Sequence, residues 1–390
     1  MAIHQVTGSA SVGSRNDMVR FGTPFAAKHR QVFEIMRNRI ESGDYQPGDR
    51  IPAEALLIEE FGVSRPTVAR ALQDLERRGF VSRRRGAGTF VSQHQTGGKL
   101  FGLLIPGLGD TEVFEPICGE MARVAQQGGN SLVWGAAQTV DHQGNGVDKG
   151  AIAWDLCQRF IRDRVGGVFF APLEFIPDKD SINRRIATAL DSARIPVVLL
   201  DRDYVKYPGR SYHDLVGINN RRVGHTITEH MFAAGCKRLL FVLRPGSAST
   251  IRARAAGFTE AFITRKASVD SKMIHECDPG DTTYVRQMLR RHKPDGIVCG
   301  NDVTAGHLMH TLEELGVSVP DDVMIGGVDD VRYSKLLRVP LTTVRQPFAA
   351  IGDAAYHAML DRIERPNSAP RHITLGCELV VRESTQPIKS

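Results

Sequence analysis

The chain is poor in the features that would make it an enzyme of a familiar kind, a metalloprotein or a membrane protein. Its six cysteines (Cys118, Cys157, Cys236, Cys277, Cys299, Cys377) are scattered over 390 residues, with no CxxC pair and no histidine at zinc spacing. That spread argues against a structural metal and predicts reduced, buried thiols. No apolar run approaches the ~20 residues needed to cross a bilayer. The opening stretch, residues 1–23, has no apolar signal core and reads as a flexible polar leader, so a cytoplasmic location is the expectation. GxSxG, Walker A and HExxH motifs are absent, and no catalytic residue, cofactor or metal site is predicted. One partial match, LLIPGLGDTE, places Gly107 and Gly109 after a strand as in a dinucleotide fingerprint. Its third position is Glu112, whose side chain would block close helix–strand packing. An NAD(P)-dependent or other enzyme on a doubly wound core is therefore the weaker alternative. His225 and His230 stand five apart on a helical stretch, a spacing that suits surface and core better than metal ligation.

What is present is a mild positive charge in one place. The formal net charge is +6. Residues 1–98 carry 14 Lys+Arg against 10 Asp+Glu, and residues 61–91 carry 7 Arg against 2 acids. Surplus charge gathered on so short a segment suits a nucleic-acid footprint better than a generally basic surface.

The chain divides by composition. Residues 24–91 form a compact basic block, 92–99 (SQHQTGGK) a polar, glycine-containing linker, and 100–387 a strand–helix alternation. Apolar runs at 100–106, 130–135, 165–172, 195–201, 238–243, 295–300 and 323–330 are spaced by amphipathic stretches. This pattern predicts buried parallel strands in βαβ units, too many for one small sheet. The expected fold is α/β: two subdomains of parallel sheet flanked by helices, with a ligand at the carboxyl ends of the strands.

Within the basic block, a first helix carries Val32, Ile35, Met36 and Ile40 on one face and ends near Gly43. A second is predicted from about Ala53 to Phe61. The stretch VSRPTVARALQDLERRGF then supplies Ser64 as N-cap and Pro66 in the first turn of a third. On a wheel of ~100° per residue, Val68, Ala71, Leu72 and Leu75 form the core stripe. Pro66, Arg70, Gln73 and Arg77 lie opposite, and Ser64, Arg65 and Thr67 cluster at the start. Short hydroxyls and arginine at an exposed helix start suit a major-groove reader, because arginine can fork onto guanine. GFVSRRRGAGTFVSQ follows as a hairpin with Arg83, Arg84, Arg85, Gly86 and Gly88, a basic wing able to follow phosphates.

These residues resemble the winged-helix domain of the GntR family, through PGDRIPAE, FGVSRPTV and GAGTFV in that order. The resemblance implies DNA contacts at Ser64, Arg65 and Thr67 and a wing tip at Gly88. Two arginines common in the family are replaced by Ala55 and Ala69, which leaves Arg50 and Arg70 as substitutes. Residues 99–385 resemble instead the periplasmic-binding-protein-like core of LacI/GalR-type repressors, through IPVVLLDRD, DLVGINNRRVGHTITEHMFAAGCKRLLFV, STIRARAAGF, PDGIVCGNDVTAGHLMHTLEELGVSVPDDVMIGGVDD and PLTTVRQPFAAIG. The same pairing of modules is seen in arabinose-responsive repressors.

Strand-end logic puts Asp201, Asn301, Asp302, Asp329 and Asp330 at a cleft. Asp302 and Asp330 are expected to cap the following helix or turn. Carboxylates, an amide and an arginine form the hydrogen-bonding set that a polyhydroxylated ligand requires. The resemblance carries the sensor role onto Asp201, Arg254, Asn301, Asp329 and Gln346. An aromatic face for a sugar ring could come from Phe114, Trp154, Phe170, Phe175 or Tyr204, each of which fits the core equally well. The function implied is a dimeric repressor, binding a near-palindromic double-stranded DNA operator under control of a small molecule, a sugar by preference.

Overall fold

The computed structural model describes residues 26–46, 48–77, 80–84, 87–92, 98–105, 108, 112–135 and 148–386. The proposed leader, most of the linker, Arg85, Gly86, Gly107 and Gly109 lie outside the described residues. The chain forms two compact units that meet at residues 97 and 98.

In the first unit, α1 (Ala26–Glu41), α2 (Glu54–Phe61) and α3 (Arg65–Arg77) precede a hairpin of β1 (Val81–Arg84) and β2 (Gly88–Val91). The apolar stripe expected for α3 is the one it buries: Val68, Ala71, Leu72 and Leu75 pack with Val32, Phe33 and Met36 of α1 and Leu57 of α2. Gly62, left-handed at φ 58°, ends α2 and allows the tight turn into α3. The hairpin pairs Val81 with Val91 and Arg84 with Gly88. The segment before α2 adds a third ribbon, since Ile51 N–H donates to Thr89 O (2.9 Å) and Val91 N–H to Asp49 O (2.8 Å).

The second unit holds two lobes, each a six-stranded sheet. The first lobe contains β3 (Leu100–Leu104), α4 (Phe114–Gln127), β4 (Ser131–Trp134), α5 (Lys149–Arg162), β5 (Gly167–Phe170), α6 (Lys179–Ser192), β6 (Val197–Leu200) and β7 (Asp214–Ile218). The second contains α7 (Asn220–Ala233), β8 (Leu239–Leu243), α8 (Ser249–Thr264), β9 (Ile274–Glu276), α9 (Thr282–His292), β10 (Gly296–Cys299), α10 (Asp302–Glu314), β11 (Met324–Asp329) and β12 (Thr342–Arg345). The chain then returns to the first lobe through α11 (Phe348–Glu364) and β13 (His372–Leu375) before β14 (Glu378–Val380) closes the second. Sheet orders are β13-β7-β6-β5-β3-β4 and β14-β12-β11-β10-β8-β9. All pairings in these two sheets are parallel except β12 with β14. All seven apolar runs form strands. β7, β9, β12, β13 and β14 are additions, shorter or more polar than the buried-strand pattern detects.

Three crossings, after β7, β12 and β13, connect the lobes. One apolar cluster runs through α4, α11, α7 and α8, while separate clusters fill the outer faces. Helices α7 and α8 touch through glycines. A Cβ built on Gly257 would lie 1.9 Å from Arg221 O, and one on Gly224 would lie 1.9 Å from Arg254 O.

Gly257→Ala should therefore push the two helices apart and lower the stability of the second unit by ~1–3 kcal/mol, the usual range for overpacking. Gly119→Ala in α4, where an added Cβ meets nothing within 4 Å, should be neutral or stabilising. Urea denaturation of the full chain, followed through the transition of the second unit, separates the two. Equal effects would contradict the close-packing account.

Candidate DNA-reading face and candidate effector site

On α3, Ser64, Arg65, Pro66, Arg70 and Gln73 are all exposed. The side chain of Arg65 is 82% accessible, with its Nε 3.8 Å from the Glu54 carboxylate. Thr67 departs from the expectation of a groove-facing residue. It is 2% exposed, and its hydroxyl lies 2.8 Å from the Ser64 hydroxyl. Its position on the wheel, beside Val68 and Ala71, turns it into the core, where it can only hold Ser64. Ser64 in turn caps through its main chain: its carbonyl accepts from Thr67 N–H (3.0 Å) and Val68 N–H (3.2 Å).

In the wing, Arg83 is exposed but engaged by acidic neighbours. Its guanidinium reaches Glu54 (3.2 Å) and Glu76 (3.6 Å), so this arginine ties the hairpin to α2 and α3. The side chains of Arg77 and Arg84 lie outside the described residues. Gly88 (φ 115°) opens β2 directly after the hairpin turn, and the exposed Arg50 crosses it so closely that a Cβ there would lie 2.7 Å from Arg50 Nε. Arg50 and Gly88 thus share one edge of the wing.

In the second unit, the residues expected at the cleft converge from distant positions. Arg254, on α8, is 3% exposed. Its Nε donates to Asn220 Oδ1 (2.8 Å), its Nη1 to Gly300 O (2.7 Å), and its Nη2 lies 3.2 Å from Asp329 Oδ1. Gln346 Nε2 donates to the same Asp329 oxygen at 2.7 Å. Asp201 ends β6 on the other lobe, and its charge acts on Asp329. Phe114 starts α4, with the Arg202 guanidinium 5.8 Å from its ring centre.

Backbone strain collects here. Of the non-glycine residues with positive φ, Arg164, Arg194, Lys266 and Lys293 follow helix ends. Of the others, Asp201 (66°), Asp329 (120°) and Asp330 (56°) lie at strand ends, and Phe175 (58°) lies in the β5–α6 loop opposite Gly246. Such strain persists where surrounding contacts fix it and gathers at ligand sites.

Asn301 takes the cap expected of Asp302. Asn301 caps α10: its Oδ1 accepts from Thr304 N–H (2.9 Å) and Thr304 Oγ1 (2.7 Å), leaving Nδ2 as the portion of the amide that the cap does not use. Asp302 is fully buried and accepts from Thr343 Oγ1 (2.6 Å) and Val331 N–H (3.1 Å). Burial pushes its carboxyl well above the usual range. Asp330 accepts from the Ser334 hydroxyl (3.2 Å) but is chiefly an ion-pair centre for Arg345 and Arg382, each at 2.6 Å. Phe170 and Trp154 belong to the outer core of the first lobe, with Tyr204 packed against it. Trp154 is covered by Arg185 at 3.6 Å.

Four residues escape the sequence reading. Arg202, 9% exposed, pairs with Asp201 (2.8 Å) and Glu174 (3.1 Å) and donates to Pro172 O (2.7 Å). Glu112 accepts from Arg332 N–H at 2.6 Å. Burial raises the Tyr333 hydroxyl, with Asp302, Asp329 and Glu112 adding to the rise, which keeps it a neutral donor beside the carboxylates. The signal for Arg202 was its place directly after Asp201. Glu174, Glu112 and Tyr333 sit in loops with no periodic signal.

Burial pushes the Asp329 carboxyl up to about 6, although Arg254 and Gln346 pull it down. The native state thus holds that proton more tightly than the unfolded chain, whose carboxyl titrates near ~3.9. Stability from this group falls as pH rises from about 4 to about 6. In urea titrations of the full chain, wild type minus Asp329→Asn should decline across that window and level off above it. A pH-independent difference would contradict the assignment.

Comparison with known proteins agrees with the two-module organisation of the chain. Residues 28–91 match the bacterial regulatory proteins, gntR family, and residues 228–385 match a periplasmic binding protein-like domain. The arabinose metabolism transcriptional repressor of Geobacillus stearothermophilus is 26% identical over 374 residues, covering 93% of this chain and 98% of that protein. A repressor of the same name from Halalkalibacterium halodurans is 25% identical over 382 residues, with the same coverage. Among solved structures, the transcriptional regulator CelR–cellobiose complex aligns with a TM-score of 0.62 at 21% identity, over 83% of this chain and 91% of that one. A ribose-bound LacI family regulator from Enterococcus faecium aligns with a TM-score of 0.59 at 21% identity, over 75% and 100%. Among the described residues, no helix is long and apolar enough to cross a membrane. Residues 28–91 thus carry a gntR-family domain and residues 228–385 a periplasmic-binding-protein-like domain, on a fold shared with LacI family regulators.

Proposed function

We propose that the protein is a transcriptional repressor whose affinity for a DNA operator is set by a neutral sugar at the strand ends of the second unit. The observation that carries this reading is the joining, in one chain, of an exposed Arg65–Arg70–Gln73 helix face to the buried Arg254–Asp329–Gln346 network. It acts as a homodimer in the cytoplasm, and two α3 helices related by two-fold symmetry read a near-palindromic site. Ser64, Arg65, Pro66, Arg70 and Gln73 face the groove, with Arg50 and Gly88 along the wing; Thr67 supports Ser64 from below.

Charge favours a neutral ligand. The two buried guanidinium groups, Arg202 and Arg254, already face three carboxylates: Asp201, Glu174 and Asp329. A sugar acid or phosphate would bring a further anion without a free cation to meet it, at a high desolvation cost. Sugar hydroxyls, by contrast, can donate to the remaining carboxylate lone pairs and accept from Tyr333 or Asn301 Nδ2. The arabinose-named relatives and the cellobiose- and ribose-bound neighbours support the same class. The arrangement favours a binding protein over an enzyme, because the carboxylates Asp201, Glu174 and Asp329 are each paired with a buried guanidinium.

The test is selection of DNA duplexes from a random library by the full chain, followed by anisotropy titrations with arabinose, ribose, cellobiose and their aldonic acids. The expected result is enrichment of paired half-sites whose affinity one of the neutral sugars alters and no aldonate does. Arg65→Ala should lose discrimination worth ~1–3 kcal/mol. Arg254→Ala should keep DNA binding and lose at least ~10-fold in sugar response, since a hydrogen bond to a charged group contributes ~1.5–3 kcal/mol. No sequence enrichment, or a response to aldonates alone, would overturn the reading.

A further inference from the structure

The two lobes are joined by more than three chain crossings and a ligand site. Two groups of contacts bridge them at their rims, formed by residues that neither lobe needs for its own core. At one rim, Glu174 and Phe175 follow β5 and Lys179 begins α6, all in the first lobe. Opposite them lies the loop from β8 to α8 in the second. Glu174 Oε2 accepts from Ala248 N–H (3.1 Å), Phe175 N–H donates to Gly246 O (3.1 Å), and Lys179 Nζ donates to Gly246 O (2.9 Å) and Ser247 O (3.2 Å). The Arg244 guanidinium lies 5.2 Å from the centre of the exposed Phe175 ring. At the other rim, Glu112 in the β3–α4 loop accepts from Arg332 N–H at the start of the short 3-10 turn after β11.

We propose that these contacts form a two-point clasp, built into the chain, which sets how readily the lobes open, and that Glu174 connects it to the ligand-facing groups. Glu174 divides its carboxylate. One oxygen takes the first free amide ahead of α8, where a carboxylate also meets the favourable end of the helix dipole. The other holds Arg202 at 3.1 Å, which in turn holds Asp201 at 2.8 Å. Opening the rim removes the partner of one Glu174 oxygen and loosens the support of Arg202, so Asp201 keeps its geometry only while the lobes are closed. The strained backbone supports the same design: Phe175 at φ 58° and Gly246 at φ 75° oppose each other across the rim, each turned so that its amide or carbonyl points at the other lobe. This inference concerns lobe motion and stands whether or not the effector is a sugar.

Amide hydrogen exchange of the full chain without any added sugar reads the clasp, because exchange reports local opening free energy. The decisive signal is crossed. Lys179→Met leaves the Arg332 amide and its acceptor intact, yet it should speed exchange at Arg332 by at least ~3-fold if the rims open as one event. Glu112→Ala should likewise speed exchange at Ala248 and Phe175. Lys179→Arg, which keeps the cation, should restore slow exchange at Arg332. Strands β5 and β10 serve as controls and should exchange as in wild type. Should a variant also loosen those strands, Glu112→Gln replaces Glu112→Ala with the same expectation. If each substitution affects only its own rim, the contacts are independent local caps and the clasp does not exist.

Discussion

A guanidinium removed from water dominates the sensor unit. Arg254 is almost fully buried, and burying an unpaired charge would cost far more than a domain's whole stability margin. Its position is tolerable only because three acceptors meet it, from three different elements: Asn220 at the start of α7, the carbonyl of Gly300 after β10, and Asp329 at the end of β11. Each requirement propagates. Asp329 must hold a φ of 120°, Gln346 must donate to it, and Gly257 must let α7 approach so that Asn220 can reach the guanidinium. A buried pair of this type does little for net stability but penalises any arrangement that breaks it. It therefore fixes the second lobe's strand ends as a rigid surface against which the first lobe can move.

The first lobe is organised by a parallel but looser device. Arg202 is buried beside Asp201 and Glu174, while Glu174 also reaches across to α8. One arginine thus stiffens a lobe internally and the other ties ligand geometry to lobe closure. The helices at the lobe junction share one apolar cluster, whereas the polar strand ends and rims carry the contacts that can be made and broken. Apolar burial is non-directional and keeps the lobes together; the directional hydrogen bonds decide how they face each other.

Much of this was legible in the sequence, for definite reasons. The stripe Val68, Ala71, Leu72, Leu75 follows the helical period, and the seven apolar runs were long enough to read as buried strands. The strand-end positions of Asp201 and Asp329 were legible because each directly follows an apolar run. Thr67 was misplaced because a small hydroxyl at a helix start fits both a groove and a core, and only packing against α1 decides. The cap of α10 was assigned to Asp302 because adjacent polar residues compete for one cap; Asn301 takes it, while Asp302 is buried on Thr343 and the Val331 amide. Glu112, Glu174 and Tyr333 lie in loops, where function depends on the element opposite; no local pattern records it. Arg83, named only as part of the wing, pairs with Glu54 and Glu76, partners that lie far from it in sequence or on another element.

The central claim is that the buried Arg254–Asp329 contact acts as a unit on which the sensor unit's strand ends depend. A double-mutant cycle on the stability of the full chain measures this directly, with Arg254→Met, Asp329→Asn and the double substitution compared at neutral pH. Each single change strands a charge or a donor in a dry site, so each alone should be costly and the second should add little. A coupling energy of at least ~1 kcal/mol, with the sum of the single effects exceeding the double, is the predicted result. Additive effects, with coupling near zero, would contradict the account.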